Sequence, residues 1–259
     1  MSNSAPVHDG SALGVHSGMA GTIRVITITR ETVQNAIDSA TARHLYFAFS
    51  AFDRDPTTTV AILTGKGGTF CSGADLNEVA EGKLMVPSEM ERLGSMGPTR
   101  LRLTKPVIAA IEGSALAGGL ELALWADLRV ATTNAKFGLS GRQLGLPLVD
   151  QGTIRLPRII GHSRAMDLLL TGRIIDAHEA HTIGLVNRLC LPGEALQRAI
   201  ELANELSIYP QECLRNDRLT LIEQWDMDES RAMKLEISRA RDTLSLGEAA
   251  TGARRVLGR

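Results

Sequence analysis

One carboxylate interrupts the run Ser114–Leu124, SALAGGLELAL, in which every other residue is apolar or small. A strand ending near Ile111 must turn through the glycines here before a helix begins near Gly118, and glycine lets a backbone approach a ligand closely. The first amides of a helix have no intrahelical partner and carry partial positive charge, so the Gly118 N–H can face a carbonyl oxygen that becomes an oxyanion. Glu121 lies three residues on, and helical spacing puts its carboxyl on the same side as Gly118. A hydrogen-bond donor and a proton-transfer group then converge on one point. A glutamate in the first turn is equally what the helix dipole favours on an exposed surface. The apolar neighbours Leu120, Leu122, Ala123 and Leu124 weigh against exposure, because a helix this apolar is mostly buried.

A second loop, GKGGTFCSGADL (Gly65–Leu76), follows the strand-like VAILTG and leads into a short helix from Asp75. It too offers backbone amides, although a plain strand-to-helix turn capped by Asp75 accounts for the same residues. It matches neither GxxxxGK[ST] nor GxGxxG, so a nucleotide loop is not supported. Cys71 has no histidine marked as its partner, since His44 falls in a helical pattern. His178 and His181 in HEAH do not match HExxH, and no metal is expected. Asp127 and Arg129 in WADLRVAT read as fixing a helix-to-strand turn. Arg254 and Arg255 are cations that could reach a phosphate, though terminal basic residues are commonly just solvated.

The elements that must position these residues alternate. TIRVITIT (Thr22–Thr29) reads as strand, Ala36–Asp53 as helix, VAILTG (Val60–Gly65) as strand, and Pro87–Leu103 as helix. KPVIAAIEG (Lys105–Gly113) is a buried strand, Gly118–Ala126 a helix and LRVAT (Leu128–Thr132) a strand, an order that implies an α/β class. Strand signals nearly vanish from Thr153 onward, and Gly193–Leu206, Gln211–Trp225 and Met227–Leu246 read as amphipathic helices. Residues 1–20 lack the charged and apolar segments of a signal peptide and are expected to be a flexible tail.

The 259 residues, 44% of them hydrophobic, suffice for a sizeable core. A net charge of −1 with no Lys/Arg block makes nucleic acid an unexpected partner. No apolar run reaches the length of a membrane span. Three well-separated cysteines, Cys71, Cys190 and Cys213, fit reduced thiols, and a cytoplasmic location is expected.

The two loops in order, FCSGADL and then KPVIAAIEGSALAGGLELALWADLRVAT, resemble the crotonase (enoyl-CoA hydratase/isomerase) superfamily. RETVQNAID (Arg30–Asp38), AKFGLSGRQLGLPLVDQGTIRLPRIIG (Ala135–Gly161) and RAMDLLLTGRIIDAHEAHTIGLVNRL (Arg164–Leu189) extend the resemblance over most of the chain. It implies an α/β fold, a crotonase-like spiral of ββα turns over residues 21–195 with a C-terminal helical oligomerisation region over 196–259, assembling as a homotrimer or a dimer of trimers. It implies an acyl-CoA thioester as substrate and no cofactor beyond that CoA. The backbone N–H groups of Ala74 and Gly118 would form the oxyanion hole. Val33, Gln34 and Ala36, with Ser72, Asp75, Leu76 and Asn77, would cradle the CoA mainly through main chain, and Gly141 would be a further substrate-binding position.

Glu121 matches one of the two glutamates that flank the attacking water in hydratases, whereas the second falls at Gly141. Adding water to an enoyl thioester needs one proton removed and one delivered, tasks usually shared by two carboxylates. Asp150 is the acidic residue nearest that stretch, expected either as a substitute in the same pocket or as an N-cap for a helix starting near Gln151. The expected activity is a CoA-thioester enolate chemistry nearest to enoyl-CoA hydratase. The alternatives are an isomerase or other single-carboxylate reaction, and a weakly catalytic acyl-CoA-binding protein.

Overall fold

In the computed structural model, which describes residues 14–84, 86–88 and 92–258, the chain begins as a hairpin: β1 (Val15–Ala20) turns at Gly21 and returns antiparallel as β2 (Ile23–Ile28). Helix α1 (Ser39–Arg54) follows, its N-terminus capped by the Asp38 carboxylate, which accepts from Thr41 N at 2.7 Å. Strand β3 (Val60–Gly65), the short helix α2 (Leu76–Ala80) and β4 (Val107–Ile111) come next. β4 is buried along its whole length and β3 up to Gly65, as expected of central parallel strands covered on both faces. β5 (Ser114–Leu116) leads into α3 (Gly118–Trp125), then β6 (Leu128–Thr132) and β7 (Lys136–Gly138). The remainder is α4 (Gly152–Ile160), α5 (His162–Thr171), β8 (Ile174–Asp176), α6 (Ala177–Thr182), β9 (Arg188–Cys190) and α7 (Ala195–Ser207), followed by α8 (Gln211–Glu223), α9 (Glu229–Ser245) and α10 (Glu248–Val256).

The strands build two sheets. The larger has the order β1-β2-β3-β4-β6-β9, antiparallel at β1/β2 and parallel elsewhere, and the smaller has the order β5-β7-β8. The main core lies on one face of the large sheet, where Ile26, Leu63, Ala109 and Ala131 meet Phe49 and Phe52 of α1 and Leu120 of α3. Phe49 and Trp125 meet edge to face with centroids 4.7 Å apart, and Trp125 Nε1 donates to Leu101 O, which locks α3 against α1. The other face of the sheet is covered by α7 through Ala195, Ala199, Leu202 and Ala203. Among the described residues, no helix is long and apolar enough to cross a membrane.

Several expectations need correction. Residues 15–20 of the expected tail form β1, an edge strand that buries little besides Val15 and therefore carries no alternating apolar signal. Residues 1–13 lie outside the described residues. The helix expected over Pro87–Leu103 is absent among its described residues: Gly94 and Gly97 exchange backbone hydrogen bonds in a tight antiparallel bridge, and a 3-10 turn spans Pro98–Arg100. Gly97 adopts φ +91°, and a Cβ there would lie 2.5 Å from Ala42 O, so this backbone has left the helical region to pack on α1. Helix α1 starts at Ser39 rather than Ala36, because Gln34 and Asn35 adopt left-handed φ and Ile37 bridges to Ala74. Strands β8 and β9 occur beyond Thr153; they are three-residue segments set by their neighbours, too short for a periodic signal. Helix α7, at the start of the region expected to be C-terminal, packs its Ala195, Ala199, Leu202 and Ala203 on the large sheet.

Candidate active site

The site is assembled where two loops carrying free amides come together. Bridges Cys71↔Ala115 and Ile37↔Ala74 lay the segment 71–75 between β5 and the turn before α1. In the second bridge Gly73 O accepts from Ile37 N at 2.8 Å and Asp75 N donates to Ile37 O at 2.9 Å, so the N–H of Ala74 points to the opposite side. Gly118 is the first residue of α3, whose opening amides have no intrahelical carbonyl to bond. The two loops touch: a Cβ at Gly73 would stand 3.1 Å from Gly118 N.

Between them, Ala117 adopts φ 49° and ψ −122°, a conformation that costs a non-glycine residue on the order of 1–3 kcal/mol. Its N–H is held by Gly138 O at 2.8 Å. Loop 30–38 is fixed from the other side. Buried Asn35 accepts from Arg30 N and donates to Lys66 O and Thr69 O, while the Arg30 guanidinium spans Asp38 and Asp75, each at 2.9 Å. Asp75 caps α2 by accepting from Asn77 N at 2.9 Å. Burial pushes its pKa up, but the Asn77 and Arg30 donors outweigh this and hold it below the usual carboxylate range. With both partners engaged, the Asp75 carboxylate is structural and its main chain is what faces the groove.

Two adjoining cavities meet at these loops. The outer one, of about 430 Å³, is lined by Val33, Gln34, Ala36, Ser72, Ala74, Asp75, Leu76, Asn77 and Gly141, and also by Thr32, Ala117, Ser140, Leu144 and Leu146. The inner one, of about 30 Å³, is lined by Gly118, Glu121 and Asp150 and shares Ala74, Ala117, Gly141 and Leu146 with the outer one. A space of that size, with the Glu121 and Asp150 carboxyl groups at its wall, accommodates about one or two water molecules. Every candidate binding and catalytic residue thus borders one continuous depression.

Glu121 is 2% exposed. Its Oε1 accepts from Gly152 N at 2.8 Å and from Asp150 N at 3.0 Å. Burial, and then the neighbouring Asp150 charge, push the carboxyl up to about 7 against the pull of those two amides. A carboxyl with that proton affinity can both give and take a proton near neutral pH. Asp150 does not cap α4: the N-cap position is Gln151 at φ 69°, with no side-chain cap, and the Asp150 carboxylate turns instead to Met96 N and Thr99 Oγ1. Gly141 sits buried in the 3-10 turn Ser140–Leu144, and a Cβ there would meet Leu146 Cβ at 3.4 Å and Ala117 Cβ at 3.5 Å. A side chain at 141 would therefore emerge beside Leu146 and Ala117.

Met96, Thr99 and Arg155 gave no sequence signal, because their part in the site depends on contacts made across some fifty residues of chain. Cys71 is fully buried with its thiol pushed up to about 12 by burial, which removes it as a nucleophile. Arg129 caps the end of α3 by donating to Ala126 O at 2.7 Å and also holds Leu185 O at 2.6 Å, and Asp127 accepts from Val107 N, so both secure the turn as expected. Arg142 is an exposed donor to Leu169 O, and Arg255 borders a separate groove with Ile208 and Tyr209. His181 Nδ1 lies 3.0 Å from Val186 O.

Comparison with known proteins supplies a family. The model of the family described as Enoyl-CoA hydratase/isomerase matches residues 18–255. The chain is 39% identical over 223 residues to "Enoyl-CoA hydratase EchA19" of Mycobacterium tuberculosis, covering 82% of this chain and 81% of that protein. It is 36% identical to "Crotonyl-CoA hydratase" of Syntrophomonas wolfei, covering 83% of each. The crystal structure of enoyl-CoA hydratase EchA1 from Mycobacterium marinum superposes with a TM-score of 0.89 at 34% identity, covering 95% of this chain and 97% of that one.

Proposed function

The chain belongs to the enoyl-CoA hydratase/isomerase family, and from that premise we propose that it is an acyl-CoA-processing enzyme that stabilises a thioester enolate, nearest in activity to enoyl-CoA hydratase. One observation carries the assignment of the site: the buried Glu121 carboxyl shares a small cavity with Ala74 and Gly118, whose amides are not used by helix or ladder. In this reading those two N–H groups hold the thioester oxygen, where preorganised donors are worth most as negative charge develops. The CoA lies in the outer cavity, along Val33, Gln34, Ala36, Ser72 and Asp75–Asn77. Water oxygen adds to C3 of a trans-2-enoyl thioester as Glu121 Oε2 takes its proton, and Glu121 then delivers that proton to C2 as the enolate collapses. The substrate's own CoA supplies the only non-protein group that this chemistry requires.

A second reading is favoured by Gly141, which leaves Glu121 without a partner carboxylate on that side. Glu121 alone suffices to remove a proton from C2 of a 3-enoyl thioester and return it at C4, an isomerisation that needs no activated water. Separate incubations with trans-2-enoyl-CoA and 3-enoyl-CoA, with product analysis, distinguish the two. 3-Hydroxyacyl-CoA from the first supports hydration, 2-enoyl-CoA from the second supports isomerisation, and no turnover of either overturns both.

The proposed assembly is a homotrimer or dimer of trimers. It is supported by the C-terminal helices, where α8 and α10 bury no side chain and Leu221, Trp225, Met233, Ile237, Leu244 and Val256 stand exposed. An apolar surface of this kind marks an interaction face.

A further inference from the structure

Asp150 is 1% exposed and occupies a closed ring of contacts. Its carboxylate accepts from Thr99 Oγ1 and from Met96 N, at 3.2 and 3.3 Å for the latter. Arg155 completes the ring, donating through Nη2 to Thr99 O at 2.6 Å and through Nη1 to Asp150 O at 3.0 Å. The Asp150 backbone N–H donates to Glu121 Oε1, as does that of Gly152 two residues on. Packing around Glu121 is close: a Cβ on Gly152 would stand 2.8 Å from Oε1, and one on Gly94 would stand 2.4 Å from Asp150 Oδ1. The wall of the inner cavity and the grip on Glu121 are therefore one rigid unit, with Asp150 at its joint.

We propose that Asp150 is a positioning residue that acts on the reaction through Glu121: pinned by Thr99 and Met96, it fixes the amides that hold Glu121 Oε1, leaves Oε2 for the substrate, and makes the two buried carboxyl groups hold one proton between them. The proposal rests on Glu121 being the proton-transfer group of the reading above. Two carboxylates bordering one small cavity cannot both ionise at little cost, so the less well solvated of the two keeps the proton. Asp150 receives a hydroxyl and an amide, faces Arg100, and has Arg155 on its own carbonyl; Glu121 receives two amides and faces only Asp150 and the committed Arg155. Among the described residues, the charged groups that act on the pair are Arg100 and Arg155. Burial raises both carboxyls, and Glu121, pushed up to about 7, is the member of the pair that gives and takes a proton near neutral pH. Asp150 stays on its internal partners and transfers no proton itself.

The experiment is Asp150→Asn, which keeps the shape and removes the charge, read first without substrate. Infrared difference spectra against Glu121→Gln report the protonated-carboxyl band of Glu121 as a function of pH. We expect its midpoint to fall by at least about one pH unit in Asp150→Asn. The pH profile of kcat/KM for the productive enoyl-CoA should move by the same amount, with kcat reduced about tenfold to a hundredfold and KM nearly unchanged. Thr99→Val, which removes one pin and leaves the charge, should lower kcat while moving the midpoint far less. An unmoved midpoint in folded Asp150→Asn overturns the proposal. So does loss of turnover as complete as in Glu121→Gln with the limb abolished, which would make Asp150 a catalytic residue. If Asp150→Asn fails to fold, the infrared titration of Thr99→Val decides: a midpoint shift as large as one unit overturns the separation of charge from pinning, and a small shift supports it. The infrared arm needs no substrate, so failure of the proposed activity leaves it readable.

Discussion

Asp150 N donates to Glu121 Oε1 at 3.0 Å while the Asp150 carboxylate turns the other way, onto Thr99 and Met96 N. One residue thus grips the Glu121 carboxyl with its main chain and the wall of the cavity with its side chain. This contact fixes Oε1 as the Glu121 oxygen committed to the protein and leaves Oε2 unheld by it.

Glu121→Gln should lower kcat by about a hundred- to ten-thousand-fold, the range for losing a general acid–base group. The amide oxygen can still accept from Gly152 and Asp150, so shape and the backbone donors persist, and CoA-ester binding measured by calorimetry should change less than about threefold. Activity within a few-fold of the parent on the productive substrate would remove Glu121 from the reaction.

The same substitution should change stability in a pH-dependent way. In the folded protein the Glu121 carboxyl is raised to about 7 from an ordinary value of 4.5. The folded state therefore retains a proton that the unfolded chain releases, and stability falls as pH rises from about 4.5 to about 7, then levels off. Gln has no proton to lose. The variant should melt higher than the parent above pH 7, by an amount corresponding to at most about 3 kcal/mol, and the gap should shrink toward pH 4.5. Melting curves at pH 5 and pH 8 check this, and a gap independent of pH would contradict it.

A comparison of Gly118→Pro with Gly118→Ala tests the oxyanion donor. Both place a carbon against Met96, whose Sδ would lie 2.7 Å from a new Cβ, but only proline removes the N–H. On folded protein, kcat/KM for Gly118→Pro should lie at least about a hundredfold below that for Gly118→Ala, in line with loss of a single oxyanion donor. Equal rates for the two would show that this N–H holds no developing charge.

Glu121 was legible because a lone charge in an apolar run at a glycine-rich helix start is chemically conspicuous, and the central strands were legible because they are buried on both faces. The resemblance supplied the residues that line the outer cavity, which carry no chemical signature of their own. What stayed hidden depends on contacts between distant segments. The Thr99–Asp150 bond spans 51 residues, β1 is an edge strand half in solvent, and Gly97 broke an apparently helical stretch by packing on Ala42 O. Asp150 was visible as the nearby acid, yet its orientation away from the helix it precedes depended on Thr99 and Met96 across the site.

Gly141→Glu tests whether the site lacks only a second carboxylate. A Cβ at 141 meets Leu146 Cβ and Ala117 Cβ at ordinary contact distance, and the backbone there needs no left-handed φ, so the substitution begins without a clash. The new side chain would emerge beside Ala117, on the rim shared by the two cavities, the inner of which Glu121 also lines. A second carboxylate there would let one group take the proton from water while the other serves C2, which is the division of labour that hydration uses. Hydration of a short trans-2-enoyl-CoA should then rise by about tenfold or more relative to the parent, while isomerisation of the 3-enoyl-CoA, which needs one carboxyl, should stay level or fall. The ratio of the two rates, measured on the same preparation, is insensitive to the fraction of active protein. A ratio unchanged by Gly141→Glu would mean that the added carboxylate does not reach the water, or that Glu121 already handles both protons without loss.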